Sequence, residues 1–233
     1  MKKLPTFLII IFLVSFSGAK AQEIDILWQG ETYTPPFYEG RALWSSQSRV
    51  TLVAIPHGLG NPASLNYKWT KNGTVLGNVS GVGRNTISFV DSVLSRPQTV
   101  RVEIVAVDKT VLTANSVFLV PQLPSLIVYE NNPLYGFMFH KEVVGDYKLD
   151  GNEVSFSAFP LFFSVFDRSD PTIGYRWTSN AGAIDLKNSV TYRRPEEGSG
   201  SARITVRAES RENVLQSAGG SLLIQFGNTN TGI

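Results

Sequence analysis

Hydrophobic and polar residues alternate along most of this chain with a period of two. Residues 99–107 (TVRVEIVAV) place an apolar side chain at every second position, with Arg101 and Glu103 between them. Residues 201–209 (SARITVRAE) follow the same rule, with Arg203 and Arg207 at the polar positions. Such alternation predicts strands with one buried face and one wet face. Because no segment of useful length has helical spacing, the pattern predicts an all-β fold.

The same order of segments occurs twice along the chain. The matching pairs are VTLVAIP (50–56) with VSFSAFP (154–160), LNYKWTKNG (65–73) with IGYRWTSNAG (173–182), NTISF (85–89) with NSVTY (188–192), TVRVEIVAV (99–107) with SARITVRAE (201–209), and SVFLV (116–120) with SLLIQF (221–226). The two tryptophans in this repeat, Trp69 and Trp177, are 177 − 69 = 108 residues apart. Duplication at this period predicts two tandem modules, 22–122 and 123–227, followed by a disordered tail at 228–233.

Turn residues separate the predicted strands and suggest how they pair. Asn72-Gly73 supplies the positive φ angles of a tight hairpin, and 180–182 (NAG) is its counterpart. The segment 121–124 (PQLP) at the module boundary predicts a short, stiff linker with a limited hinge. Many short strands without crossover helices indicate antiparallel β-sandwiches.

Two aromatic pairs are the predicted core anchors of these sandwiches. Tyr67 and Trp69 lie at i and i+2 of one strand, and Tyr175 and Trp177 occupy the same positions in the second copy. Side chains two residues apart on a strand point to the same face. We therefore expect each pair to be buried between the two sheets of its module.

The motif Tyr67-x-Trp69-x-x-Asn72-Gly73, with NTISF and TVRVEIVAVD after it, resembles the PKD/Ig-like modules of bacterial cell-surface proteins. The resemblance implies tandem seven-stranded sandwiches that serve as spacers and as binding or adhesion modules. The chain also looks like two-module exported proteins of bacteria. It departs from PKD modules where WTKNG (69–73) replaces the acidic W-D-F-G-D-G turn, and it lacks the D-x-G-x-Y-x-C corner of immunoglobulin variable domains.

The N-terminus has the features of a secretory signal peptide. Lys2 and Lys3 precede an apolar run at 7–16, and 19–21 (AKA) is a small-residue cleavage site. We therefore expect a signal peptide at 1–21 and a mature chain that begins at Gln22, in the cell envelope or outside the cell. The alternative is that the segment is kept as an N-terminal anchor.

Charge and cysteine content exclude several classes of function. Three of the 21 basic residues leave with the signal peptide, so 18 remain against 19 acidic residues, for a net charge of −1. That balance does not favour a nucleic-acid partner. The chain has no cysteine, which excludes disulfides, thiol nucleophiles and cysteine-based zinc sites. Each module must therefore be stable through its apolar core alone.

Reactive groups are sparse and scattered. His57 and His140 fall in unrelated positions of the repeat, and neither has the spacing of a triad or a metal site. The loop 167–171 (DRSDP) could contribute to a calcium site with Asp146, Asp150 and Glu153, but ordinary turn formation is the simpler interpretation. We therefore expect no enzymatic activity, no cofactor and no bound metal.

Aromatic residues outside the repeated strands are the candidate binding residues. They lie in three segments: Tyr33, Phe37 and Tyr38; Tyr135 and Phe137; and Phe162 and Phe163. One interpretation is that they pack against the sandwich edges or fill the junction between the modules. The other is that they form an exposed patch for a protein or a sugar ring.

Together these features predict an exported structural or adhesion protein that binds a protein or polysaccharide of the cell envelope. The alternative is a carbohydrate-binding protein that uses the aromatic loops.

Overall fold

The computed structural model describes residues 22–36, 38–180 and 182–227. The predicted signal peptide, the C-terminal tail, Phe37 and Ala181 lie outside the described residues. Within the described part the protein is built almost entirely of β-strands in several antiparallel sheets, which confirms the predicted all-β class. No helix in those residues is long and apolar enough to cross a membrane.

Among the described residues, eight strands make up the first sandwich. They are β1 (Glu23–Gly30), β2 (Arg49–His57), β3 (Asn66–Lys71), β4 (Thr74–Val75), β5 (Gly81–Val82), β6 (Thr86–Val90), β7 (Gln98–Val105) and β8 (Val111–Leu119). Short 3-10 turns at Pro62–Ser64 and Gly77–Val79 connect some of them. One sheet has the order β1-β2-β6 and the other β4-β3-β7-β8, with β5 also paired to β3. This is the strand order of an Ig-like sandwich.

The part of the second sandwich that the structure describes has nine strands. They are β9 (Ser125–Asn132), β10 (Gly136–Glu142), β11 (Gly145–Leu149), β12 (Glu153–Leu161), β13 (Ile173–Ser179), β14 (Gly182–Asp185), β15 (Ser189–Arg193), β16 (Gly200–Ser210) and β17 (Ser217–Phe226). The sheets are β10-β9-β12-β15 and β11-β17-β16-β13-β14. All neighbours are antiparallel except β11 and β17, which run parallel. Strand β9 corresponds to β1, whereas β10 and the parallel strand β11 have no named strand as counterpart among the described residues of the first sandwich.

Each sandwich has its own cluster of buried side chains, and a tryptophan lies at its centre. Trp69 and Trp177 are fully buried, and so is Tyr67, while Tyr175 is nearly so. The indole Nε1 of Trp69 donates to Arg84 O at 2.8 Å, and that of Trp177 donates to Lys187 O at 2.9 Å. The four aromatic side chains therefore fill the interiors and satisfy their polar atoms there.

The strand register corrects the alignment of the two copies by two residues at one place. Trp69 pairs with Val102, whereas Trp177 pairs with Val206. Equivalent positions of β7 and β16 are therefore 104 residues apart (206 − 102), not 102 as the sequence alignment of 99–107 with 201–209 implied. Cross-strand pairing identifies equivalent residues that similarity alone misplaced.

The predicted hairpin at Asn72-Gly73 is present in the structure. Asn72 and Gly73 have φ angles of 49° and 82°, and Lys71 pairs with Thr74 across the turn. Two successive positive φ angles match the right-handed twist of the flanking strands. Asn therefore stands where its tolerance of the left-handed region is needed.

We predict that Trp69→Ala lowers the stability of the first sandwich by about 3–5 kcal/mol, because it removes a fully buried indole. Hydrogen exchange read by mass spectrometry should show loss of amide protection in β3 and β7 and much smaller changes in β13 and β16. The half-buried Trp28, replaced by Ala, is the control and should cost less. Equal loss of protection in both sandwiches would contradict separate cores.

Candidate functional site

Main-chain hydrogen bonds join the two sandwiches. Tyr33 N donates to Phe163 O at 2.7 Å, and Phe162 N donates to Tyr33 O at 2.8 Å. These bonds join the connection between β1 and β2 to the segment after β12. We call the contact region formed by Tyr33, 45–47, 162–164 and 215–216 the junction.

Gln216 is the polar centre of the junction. Its side chain is almost fully buried, and Nε2 donates to Ser46 O at 2.8 Å, Ser164 Oγ at 2.7 Å and Ser45 Oγ at 3.3 Å. Its Oε1 accepts from Ser164 N at 2.8 Å. A buried amide is tolerated only when its donors and acceptor are satisfied. The two bonds to Ser45 and Ser46 cross from the second module to the first, so they exist only while the two sandwiches keep this relative position.

Two bulky or polar residues adopt left-handed backbone at the junction, one on each side. Phe162 has a φ of 64° and Gln47 a φ of 65°. Such angles are uncommon for residues other than glycine and cost on the order of 1–3 kcal/mol each. At Phe162 the bend lets its N–H reach Tyr33 while the Phe163 ring stays in the core. Gln47 Oε1 accepts from Leu215 N at 3.0 Å, a further bond across the junction.

The ring of Tyr33 belongs to the core cluster of the second sandwich, although the residue precedes β2. Burial raises the pKa of Tyr33 to about 12, a shift that the nearby positive charge of Arg168 reduces and Asp167 increases. A neutral phenol is therefore strongly favoured there. The first module thus contributes an aromatic side chain to the core of the second.

Arg168 lies beside this buried tyrosine and is packed between aromatic rings. Its guanidinium carbon is 4.7 Å from the ring centre of Phe137 and 4.6 Å from that of Phe159. These are cation–π distances. Atom Nη1 is buried and has no hydrogen-bond partner among the described residues. The aromatic cluster under the β9–β10 hairpin and the junction are therefore joined by one charged side chain.

The predicted binding aromatics divide between the interior and the surface. Tyr33, Phe162 and Phe163 are buried, and Phe137 is half-buried against the core. Tyr38 is at the margin of exposure, and its ring meets Phe162 edge-on at 5.9 Å. Tyr135 is 77% exposed at the tip of the β9–β10 hairpin. Phe37 lies outside the described residues.

An open cleft of about 510 Å³ borders the junction. Its walls include Glu31, Tyr33 and Arg49 from the first module and Ser164 and Phe166 from the second. The Phe166 side chain is 97% exposed. The sequence marked Phe162 and Phe163 as candidate binding residues but gave no sign of this cleft, because the contribution of Glu31 and Arg49 depends on how the modules dock.

The histidines take ordinary surface positions. His57 Nε2 is 3.0 Å from Asp25 Oδ2, and the two side chains are 51% and 56% exposed. An open pair of this kind is worth little and lacks the water exclusion that a catalytic base uses. His140 is exposed on β10.

The acidic loop residues are used in local turns. Asp170 Oδ1 accepts from Thr172 N at 2.9 Å and from its hydroxyl at 2.6 Å, and these bonds lower the pKa of Asp170. Asp167 caps Ser169 N at 2.7 Å. Glu153 pairs instead with Arg193. No group of three or more candidate metal ligands occurs in the part of the chain that the structure describes.

Comparisons with known proteins give similarity in solved structures alone. No protein-family model matches the chain, and no curated protein sequence matches it significantly. It is similar to three N-terminal domains of the Highly Immunogenic Outer Capsid protein of bacteriophage RB49, with 18% identity and a TM-score of 0.46 over 88% of this chain and 59% of that one.

Two further solved structures have lower similarity. The fibronectin(III)-like modules of Clostridium thermocellum CbhA are 12% identical with a TM-score of 0.29, over 86% of this chain and 94% of that one. The mouse nectin-like molecule 4 ectodomain is 10% identical with a TM-score of 0.34, over 92% of this chain and 67% of that one. This chain thus spans less than two thirds of the capsid protein chain, and identities this low say nothing about a shared activity.

We predict that Gln216→Leu loosens the junction and costs about 1–3 kcal/mol, because it removes the bonds from Nε2 to Ser46 O and Ser45 Oγ of the first module and leaves the Ser164 N–H without its acceptor. With one spin label in each module, double electron–electron resonance should show a broader distribution of inter-label distances in this variant than in the wild type. Gln225→Leu, an exposed change at the far end of β17, is the matched control. An unchanged distribution in the Gln216 variant would rule out its positioning role.

Alkaline pH should weaken the junction through Tyr33. Because its folded pKa lies above that of the unfolded chain, the stabilisation is complete below pH 10 and is lost as the pH rises towards 12. Tyr33→Phe should remove this part of the alkaline loss, at most about 2–3 kcal/mol. Denaturant titrations across that range measure it, with the exposed Tyr135→Phe as control. Identical alkaline losses in the two variants would contradict the burial of the Tyr33 hydroxyl.

Proposed function

We propose that this chain is an exported, non-enzymatic protein of the cell envelope or exterior that acts as a rigid structural or adhesion unit. In this proposal 1–21 is a cleaved signal peptide, and 22–122 and 123–227 are two PKD/Ig-like domains of bacterial type. The paired domains hold their outer faces and loops in one fixed arrangement for a partner.

The observation that carries the proposal is the buried network of Gln216. A flexible tether would take the acceptors Ser45 Oγ and Ser46 O of the first module away from the Gln216 amide, whereas here its Nε2 donates to both. Phe162, whose N–H donates to Tyr33 O across the junction, also keeps a left-handed φ of 64°. Free energy spent on fixing the orientation of two domains supports a role in which that orientation matters.

The distribution of titratable groups supports a non-enzymatic role. The His57–Asp25 pair is open to water, and Asp167 and Asp170 are occupied with main-chain N–H groups of their own loop. Catalytic sites gather perturbed groups in a cleft. The strongly perturbed groups here are tyrosines that are held neutral by burial.

The alternative, carbohydrate binding through the aromatic loops, has one observation in its favour. Phe166 is exposed at the wall of the junction cleft, where a sugar ring could stack on it. Against it, Tyr33, Phe162 and Phe163 are committed to the interior. We therefore favour the structural or adhesive role.

Deletion and complementation in the producing cells test this proposal. The mature protein should be found in the envelope or medium with Gln22 as its first residue, by fractionation and mass spectrometry. Wild type and Gln225→Leu should restore surface adhesion or envelope integrity, and Gln216→Leu should not, although it is exported and folded. Retention in the cytoplasm, or full complementation by Gln216→Leu, would contradict the proposal.

A further inference from the structure

Four exposed arginines lie on the outer face of the second sandwich. Arg176 is on β13, Arg203 and Arg207 are on β16, and Arg211 follows β16 directly. Outward positions of β16 alternate with the buried Ala202, Ile204, Val206 and Ala208. We call Arg176, Arg203, Arg207 and Arg211 the arginine face.

Like charges oppose each other at the centre of this face. Arg176 and Arg207 are direct cross-strand partners in the β13–β16 ladder. Directly opposed side chains have Cβ atoms about 5 Å apart, and like charges there are destabilising. Glu209 pairs with Arg207, but Arg176, Arg203 and Arg211 form no ion pair with any carboxylate in the described residues. Of the four guanidinium groups, Arg207 alone is thus paired with a carboxylate among the described residues.

The first sandwich has an opposite-charge pair at the equivalent positions. The residue before its core tryptophan is Lys68, and its cross-strand partner is Glu103. Lys68 Nζ lies 2.9 Å from Glu103, and Arg101 Nε lies 3.0 Å from it. The hydrogen bond from Lys68, with that from Arg101, lowers the pKa of Glu103. Arg207 therefore stands where the other copy has a neutralising carboxylate, and the second copy gives up that stabilisation.

The surface around the pair is open to solvent. Arg207 stands between two depressions of about 530 and 520 Å³. Arg176, Arg211 and Leu186 line the first, and Ser217, Gly219 and Ser221 line the second. Since β17 carries small residues there, a chain-like ligand could cross the strands and reach the guanidinium groups without steric obstruction.

Guanidinium forks and hydroxyls select the ligand chemistry. Arginine binds carboxylates in a bidentate manner, and serine hydroxyls exchange hydrogen bonds with sugar hydroxyls. Arg203 and Arg207 are about 13 Å apart along the strand, which suits charges repeated along a linear polymer. Tyr175, the aromatic residue at the first depression, is buried, so no ring is offered for nucleobase stacking.

We propose that the arginine face binds an acidic polysaccharide, a linear glycan with carboxylates on its repeating units. This inference rests on the proposed adhesive role and names the partner class. The cross-strand repulsion between Arg176 and Arg207 is relieved when a carboxylate bridges the two guanidinium groups.

Binding of polygalacturonate by the purified mature protein tests the inference by calorimetry and affinity electrophoresis. We expect saturable binding that weakens with salt, and none to neutral dextran. Arg207→Gln should weaken binding about tenfold or more, as loss of a charge-assisted contact predicts. Arg101→Gln, on the equivalent strand of the first sandwich, removes the same charge and should leave binding unchanged.

Arg207→Glu separates a functional from a structural role. It places a carboxylate opposite Arg176, as Glu103 stands opposite Lys68, but it also removes the ion-pair partner of Glu209, so the melting temperature should change little while polygalacturonate binding is lost. A lower melting temperature with unchanged binding would overturn the inference. If Arg101→Gln weakened polygalacturonate binding as much as Arg207→Gln does, binding would reflect general charge attraction and not a specific site. That result would also overturn the inference.

Binding of other polyanions is measured in the same experiments. Absence of polygalacturonate binding, or binding only to single-stranded oligothymidine or to phosphatidylglycerol vesicles, would refute the acidic-glycan assignment. Those outcomes leave the adhesive role standing, because export and complementation by Gln225→Leu are measured separately.

Discussion

The indole hydrogen bond at the centre of each sandwich is the constraint on which the rest of the structure depends. A tryptophan can be buried at full depth only if its N–H finds an acceptor there. Trp69 and Trp177 find it in the carbonyls of Arg84 and Lys187, in the loops that lead into β6 and β15. Each bond links the two sheets, and each fixes where a strand of the opposite sheet begins.

The sequence allowed the two cores to be predicted because their signals are local. Alternation with a period of two specifies which side chains face inward, and the repeat of Tyr67-x-Trp69 in Tyr175-x-Trp177 marks the same strand twice. The turn at Asn72 followed from its dipeptide. These features need no knowledge of distant contacts.

The junction could not be predicted, because its contacts join residues far apart in sequence. Gln216 meets Ser45 across 171 positions, and nothing in its neighbourhood marks it as buried. Tyr33 was a candidate for the surface or the junction, and only docking places it in the second core. The arginine face could not be predicted for another reason. Its arginines occupy the polar positions of a regular alternation, as exposed residues of a strand normally do. Only the strand register shows that Arg207 is the equivalent of Glu103.

The parallel pairing of β11 with β17 has a mechanical consequence. A pull on the chain before Gly145 and after Phe226 acts on opposite ends of two strands that run in the same direction, so it slides one along the other. The evenly spaced, slanted hydrogen bonds of a parallel ladder then share the load and must fail together, instead of opening one after another like a zip.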